Sequence, residues 1–508
     1  MAFASVVLTS LAWIAISYIV YNFCRLVFIK MPNTLPGPKT LPLIGNAFYF
    51  MHMNTDEILI SLFNLLRSYS SPFQVWIGNK LFIGIYEPDQ IKVVLQNRQC
   101  LTKGIFYKFI EALLGRTSLI TIPAPTWSKN RKIALSSFNT NMLRGFFNGF
   151  VEQSLILTDN LEKIGLNGRE IALKRFISHC TLAIAYDNIV GVKLDLQSEK
   201  ISQCYEILKS CKRSLTCRFQ NIFLYSNIIF NLTGFGRKQK TGNYDIHSIL
   251  NEMMQQRQYA LNRSDKTDTM NKITHKTFYD IILEASHKEK LTQQNIHDSV
   301  FTMLAASADT VSVTIDFAIF MLANFPEIQE KAYKELLEIY DVETPKSAPV
   351  KYKDVQHMNY LDRVIKETLR LFPAVPVIAR YLTEDLRMGE IILPKGADVI
   401  VALGKVHRSK KYWPNPLVFD PDRFLPEKLE NSQLHYYLPF SNGPRNCIGI
   451  KYAMICMKVI LATLIRTFVF KVDECIGIDK IKLKFEILLA PIEPLKVKIE
   501  RRNPLKRL

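Results

Sequence analysis

The chain has 508 residues, 48% of them hydrophobic, and a formal charge of +19. That length and apolar content exclude a disordered or fibrous chain and allow a large buried core. The charge is dispersed, with no nucleic-acid motif and no basic stripe interleaved with aromatics, which points away from nucleic acid and toward a basic face for an acidic protein or anionic lipid. The nine cysteines are odd in number and irregularly spaced. None of their spacings fits a zinc site, so they read as reduced thiols in a cytosol-facing body.

No charged residue occurs from Ala2 to Cys24. As a helix this run spans about 34 Å at 1.5 Å per residue, enough for a hydrocarbon layer of about 30 Å. Arg25 and Lys30 follow it, which places the downstream body on the cytoplasmic side. A cleaved signal peptide would want a basic start, a shorter run and a small-residue cleavage site. Residues 1–24 are thus expected to form a membrane anchor. Residues 25–46 form a basic, proline-rich hinge, since three prolines between Leu35 and Asn46 stiffen the chain. Length alone suggests about three domains, but no Pro/Gly/Ser linker divides the rest, and residues 47–508 are expected to form one body.

Within that body helical periodicity dominates. The pattern predicts helices over Asp56–Ser68, Phe325–Tyr340, Tyr360–Phe372 and Ile448–Phe468. It predicts short strands over Phe73–Ile77, Leu81–Tyr86, Asp398–Ala402, Lys482–Leu489 and Leu495–Ile499. The polar stretch Gln255–Lys276 reads as a surface loop. The expected class is mainly α with a minor β part.

Four constellations carry chemistry. Trp127 and Arg131 form W-x-x-x-R, and one helical turn brings them to the same side. Phe301–Asp316 is apolar on most of its circumference, so it reads as a buried helix, yet it holds the acid–alcohol pair Asp309–Thr310. A hydroxyl at Thr310 can also bond back to the Ala306 carbonyl. Glu367 and Arg370 lie three residues apart in an apolar helix, K-E-T-L-R-L-F-P, and F-D-P-D-R-F follows at Phe419–Phe424. Taken alone the Glu–Arg pair is an ordinary surface ion pair.

The most specific segment is Phe440–Gly449, F-S-N-G-P-R-N-C-I-G. A free cysteine has a pKa of about 8.5, and a metal removes its proton outright. Gly443 and Gly449 let backbone pass close to a flat macrocycle, and Arg445 can grip a carboxylate with two hydrogen bonds. Phe440, Gly443, Arg445, Cys447 and Gly449 fill all five fixed positions of F-x-x-G-x-R-x-C-x-G.

This segment resembles the haem-binding loop of the cytochrome P450 superfamily, the haem-thiolate monooxygenases. The resemblance extends from the proline hinge to the final strands and implies the cytochrome P450 fold behind one transmembrane helix. It implies haem b with Cys447 as the axial iron ligand, dioxygen as co-substrate, and Asp309 and Thr310 delivering the two protons that dioxygen cleavage needs. It implies a buried network of Glu367, Arg370 and Arg423 behind the ligand loop, and Trp127, Arg131, Arg380 and Arg445 as partners of the haem propionates.

The runs I-K-E-T-L-R-L-F-P-A-V-P and Y-Y-L-P-F-S-N-G-P-R-N-C-I-G resemble the fatty-acid ω-hydroxylase branch that is abundant in insects. Many of those carry a glutamate that forms an ester with the haem. Ala306 stands at that position here, so noncovalent haem is expected. The chain departs from the family pattern [A/G]-G-x-[D/E]-T-[T/S] at Ser307 and Val311, which bears on turnover rather than on haem binding.

The chain has no dinucleotide-binding motif, so electrons are expected from NADPH through a partner, NADPH–cytochrome P450 reductase, with cytochrome b5 as a further donor. Lys129, Lys132, Lys451 and Lys458 are its expected docking patch. The implied site is the endoplasmic reticulum membrane, and the implied substrate is lipophilic: a fatty acid, a terpenoid or steroid, or a xenobiotic. Its expected contacts are Phe106–Ala124, the residues around Phe301, Val375–Ile378 and Leu488–Ala490. Two other readings stay open at this point: a reductase-independent haem-thiolate isomerase or dehydratase, and a non-catalytic haem binder.

Overall fold

A computed structural model describes residues 2–28, 35–41, 44–51, 57–264, 275–340, 348–428 and 435–502. Among the described residues helices dominate, with a four-stranded sheet and three smaller ones. The predicted helices occur as Ile58–Ser68, Pro326–Tyr340, Asn359–Leu371 and Ile450–Thr467. Asp56 lies outside the described residues. The apolar amino-terminal run is helical over Ala2–Phe28, four residues beyond its predicted end.

Two expectations are corrected. Gln255–Lys276 is not a loop at its start, because the helix Gly234–Ser264 runs through it. Ile246, Ile249, Leu250, Met253, Met254 and Arg257 form its buried stripe. Arg257 is buried because its guanidinium pairs with Asp280 at 2.6 Å. Residues 265–274 lie outside the described part. The predicted strand Lys482–Leu489 is a hairpin of Leu483–Glu486 and Leu488–Pro491, folded back at Ile487 with φ of 67°.

Two features position the site. The first is the long helix Gln293–Asn324, opened by a reciprocal cap between Thr292 and Asn295. It is long and apolar enough to cross a membrane, but 72% of its most apolar window is buried inside the protein, so it is a core helix. Lys174–Ala185, Asn359–Leu371 and Ile450–Thr467 pack around it. The second is the sheet. Phe73–Ile77 pairs antiparallel with Lys80–Ile85, which pairs parallel with Asp398–Val401 in the register Ile83↔Val399. Ile378–Tyr381 closes it antiparallel with Arg380 opposite Val399. This register carries Arg380 from the edge of the sheet to the wall of an interior cavity.

Candidate active site

The cavity has a volume of about 590 Å³, within the usual range for small-molecule sites. Its walls are mostly apolar side chains from the predicted contact segments, among them Phe106, Ile110, Val375 and Leu488. Two further walls were not legible from motifs: the amino-terminal part (Phe50, Leu62, Phe73) and a roof helix, Glu199–Gln220.

Among the described residues Cys447 is the one cysteine that lines the cavity. Its exposed surface faces this interior space. The loop holding it is tied by Cys447 N–H to the Phe440 carbonyl at 2.9 Å, and by Ser441 N–H to the Leu438 carbonyl at 3.0 Å. Burial pushes the Cys447 thiol up, against the opposing pull of the Gly449 N–H and the Arg131 guanidinium.

The reason for Gly443 differs from the one the sequence suggests. Its φ is 74°, and a Cβ there would stand 2.0 Å from the Leu95 carbonyl oxygen, so backbone rather than a macrocycle demands glycine. At Gly449 a Cβ would meet only the Cys447 sulfur, at 4.0 Å. That glycine keeps the space beside the thiol open.

Glu367, Arg370 and Arg423 meet behind the loop. Glu367 and Arg370 have no exposed surface. Arg370 Nε and Nη2 grip the Glu367 carboxylate at 2.7 and 2.8 Å, and Nη1 donates to the carbonyls of His407 and Pro416 at 2.8 and 2.9 Å. Arg423 Nε lies 3.4 Å from Glu367 Oε1, and Arg423 donates to the carbonyls of Pro414 and Asn415. The His407 ring carries the connection onward, its Nε2 accepting from Leu438 N–H at 2.8 Å. Burial, reinforced by the nearby Arg370 charge, lowers its pKa to about 3, so it is the neutral acceptor this bond requires. His407 has no motif of its own and was missed in the sequence.

The long helix exposes Ala306 to the cavity. The Thr310 hydroxyl donates to the Ala306 carbonyl at 3.0 Å, while the helix stays continuous. Asp309 does not touch Thr310 in any described hydrogen bond. Lys212 of the roof helix holds it at 2.6 Å. Burial pushes the Asp309 carboxyl up, but Lys212 and Lys174 outweigh it and keep the carboxyl below its ordinary range. Ser307 bonds to the Leu304 carbonyl at 3.1 Å, and Val311 is buried.

The arginines fall into two groups. Arg131 donates to Asn446 O and Oδ1 at 2.8 and 2.6 Å, so it clamps the cysteine loop. Arg445 donates to the carbonyls of Leu119 and Ile122, stacks 4.2 Å over the buried Trp127 ring, and keeps a buried Nε without a partner. Arg380, 1% exposed, likewise has a buried Nη2 without a partner. Lys103 joins them. Burial and the charges of Arg380, Arg445 and Arg131 push its pKa well below the ordinary lysine value. No sequence pattern marks Lys103.

Of the four predicted docking lysines, Lys129 is paired with Glu289 at 2.8 Å and Lys458 with Asp362 at 2.9 Å. Lys132 and Lys451 are exposed. The patch is therefore less basic than its sequence suggests.

One apolar cavity lined by both the Cys447 thiol and the helix-borne Thr310 hydroxyl is the arrangement that a haem-thiolate oxidoreductase needs. The cytochrome P450 family model matches residues 35–499, and the chain belongs to that family. It is 33% identical to cytochrome P450 4c21 of Blattella germanica, over 93% of this chain and 94% of that protein. It is 29% identical to cytochrome P450 4c3 of Drosophila melanogaster, over 96% and 93% of the two chains. It is also 29% identical to cytochrome P450 4V2 of Mus musculus, over 92% and 89%. These relatives agree with the branch that the sequence resembles, and the chain is a P450 monooxygenase using haem-thiolate iron and dioxygen.

The residues present fit a haem. Lys103, Arg131, Arg380 and Arg445 converge on a cavity whose single lining carboxylate among the described residues, Asp309, is already held by Lys212. Buried cations without anions are costly, and the unpartnered nitrogens of Arg380 and Arg445 suit a pair of propionates.

Proposed function

We propose that this protein inserts one oxygen atom from dioxygen into a lipophilic molecule held in the cavity, with electrons from NADPH through a reductase. The observation that carries this reading is the placement of the Cys447 thiol and the Thr310 hydroxyl in one apolar chamber. The haem, bound through Cys447, supplies dioxygen activation. Arg380, Arg445, Lys103 and Trp127 line the cavity and would hold the acidic groups of the haem, and Arg131 fixes the ligand loop through Asn446. The apolar walls orient the substrate and exclude water.

Thr310 and Asp309 manage protons at the long helix. Because Lys212 holds Asp309, the carboxylate reaches Thr310 through a water or after release of that ion pair. Ala306 offers no carboxylate for an ester, so the haem is noncovalent. Anchoring is to the endoplasmic reticulum membrane through Ala2–Phe28, with the body in the cytoplasm. A second apolar surface supports membrane contact: Phe223, Ile228, Ile229, Leu232 and Phe235 are all exposed, Ile228 by 75%.

The test has two parts. The reduced protein under carbon monoxide should show the red-shifted Soret band of a thiolate-ligated haem. With purified reductase and NADPH, a panel of fatty acids, esters, terpenoids, steroids and xenobiotics should include members that give oxygenated products. A haem-containing protein that consumes no oxygen above background with any of them overturns the assignment.

A further inference from the structure

A second, smaller cavity lies between the long helix Gln293–Asn324 and the helices Lys174–Ala185 and Glu199–Gln220. Its volume is about 10 Å³, the least that holds one water molecule. Asp309, Ser312, Ser178 and Lys212 give it polar walls, and a buried water needs about two to four such partners.

A hydrogen-bonded line leads to it. Lys174 Nζ donates to Ser312 Oγ at 2.9 Å, and Ser312 Oγ donates to the Asp309 carbonyl at 2.9 Å. Ser178 Oγ also donates to Ser312, at 3.4 Å. Lys174 keeps accessible surface that lies outside both cavities, whereas Ser312 is fully buried. Asp316 lies about two turns beyond Asp309 on the same helix face. It is 5% exposed and makes no hydrogen bond or ion pair among the described residues. Lys174 is the cation that faces it.

Charge gives the line a direction. Against the upward push of burial, Lys212 and Lys174 keep Asp309 below the ordinary carboxyl range, so at neutral pH it has no proton of its own to give. Its supply needs a donor whose pKa lies near the working pH. Burial pushes Lys174 down to about 8, against the pull of Asp316 and Asp309. It pushes Asp316 up to about 6, against Lys174. The other groups that face this pair are Lys212 and Tyr205 of the roof helix.

We propose that Lys174 supplies protons to Asp309 through the Ser312 hydroxyl and one water in the small cavity, with Asp316 holding the lysine's charge in place. A Lys174 N–H bond breaks and its proton goes to Ser312 Oγ. The Ser312 hydroxyl turns from the Asp309 carbonyl and gives its own proton to the water, which gives one to an Asp309 carboxylate oxygen. Lys174 regains a proton from solvent. One pass moves one proton and changes no oxidation state, so dioxygen cleavage takes two passes. Lys174 acts on the reaction only through Asp309. This deepens the monooxygenase reading and rests on it.

The test uses full-length haem-loaded protein that already shows the thiolate–carbon monoxide band and reductase-dependent oxygen consumption, so that failure here is separate from failure of that reading. The probe is dodecanoate. The readout is the share of NADPH electrons that escape as hydrogen peroxide rather than passing into water and product. The control is turnover of cumene hydroperoxide, which arrives with its oxygen already reduced. In the wild type the escaping share should be small at neutral pH and rise above about pH 8, where Lys174 has lost its proton. Lys174→Arg keeps the charge and the donor but releases no proton in the working range. It and Ser312→Ala should cut the electrons passed into water and product about tenfold at every pH, less than the roughly hundredfold of a lost direct donor. Asp316→Asn should move the wild-type rise to lower pH, because it removes the anion that favours the Lys174 proton. The hydroperoxide reaction should show none of these effects. Wild-type coupling in Lys174→Arg, no rise near pH 8, a rise unmoved in Asp316→Asn, the same rise in the hydroperoxide reaction, or complete loss to peroxide in the wild type overturns the proposal. If a variant does not fold, the wild-type pH dependence of the two reactions decides alone.

Discussion

His407 shows how one side chain couples two parts of the site. Its carbonyl receives Arg370 and its ring receives Leu438 N–H, just ahead of the cysteine loop. With a pKa near 3 in the folded protein, against an ordinary value of about 6.5, the unfolded chain takes up the proton first on acidification. The stabilisation is full above pH 6.5 and falls by about 1.4 kcal/mol per pH unit between 6.5 and 3. His407→Gln should flatten the fall in melting temperature between pH 6.5 and 5, where most carboxylates are still ionised. An unchanged slope contradicts this account. Thr310→Ala should keep consuming NADPH while product falls about a hundredfold, the lower range for a lost proton-transfer group. Product formation at the wild-type rate would remove Thr310 from proton delivery.

At the scale of elements, the two loop glycines separate by role. Gly443→Ala drives a Cβ into the Leu95 carbonyl, whereas Gly449→Ala meets only the cysteine sulfur. The first should lower the yield of folded protein and its melting temperature. The second should leave the fold and reduce haem content. The reverse order would show that Gly443 serves the cofactor. Removing the carboxylate in Glu367→Ala leaves Arg370 buried and unpaired, a loss of about 3–5 kcal/mol, and should abolish haem incorporation, measured as haem per polypeptide. These two motifs were legible because their residues lie close in sequence. Lys103 and His407 were not, since each acquires its partners only when distant segments meet. The helix through Arg257 was misread for a related reason: a buried arginine looks polar until Asp280 is placed beside it.

For the whole molecule, periodicity identified the four named helices, the middle of the long core helix and about half of the strands, but missed the long helices Thr140–Gly165 and Glu199–Gln220 and gave no sheet order. The parallel pairing of Lys80–Ile85 with Asp398–Val401 joins segments far apart in the chain, and no local pattern encodes it. The cavity is legible only in part for the same reason, its roof and amino-terminal wall being tertiary. Deleting residues 2–28 should weaken membrane binding without abolishing it, because the patch around Ile228 and Leu232 remains; full release into the soluble fraction on vesicle flotation contradicts a second contact. The account as a whole turns on Cys447 gripping the haem iron. The most direct measurement is the carbon monoxide difference spectrum of reduced wild type against Cys447→Ser. The wild type should show the red-shifted Soret band and the variant should lose it; the same band in both would contradict the thiolate assignment.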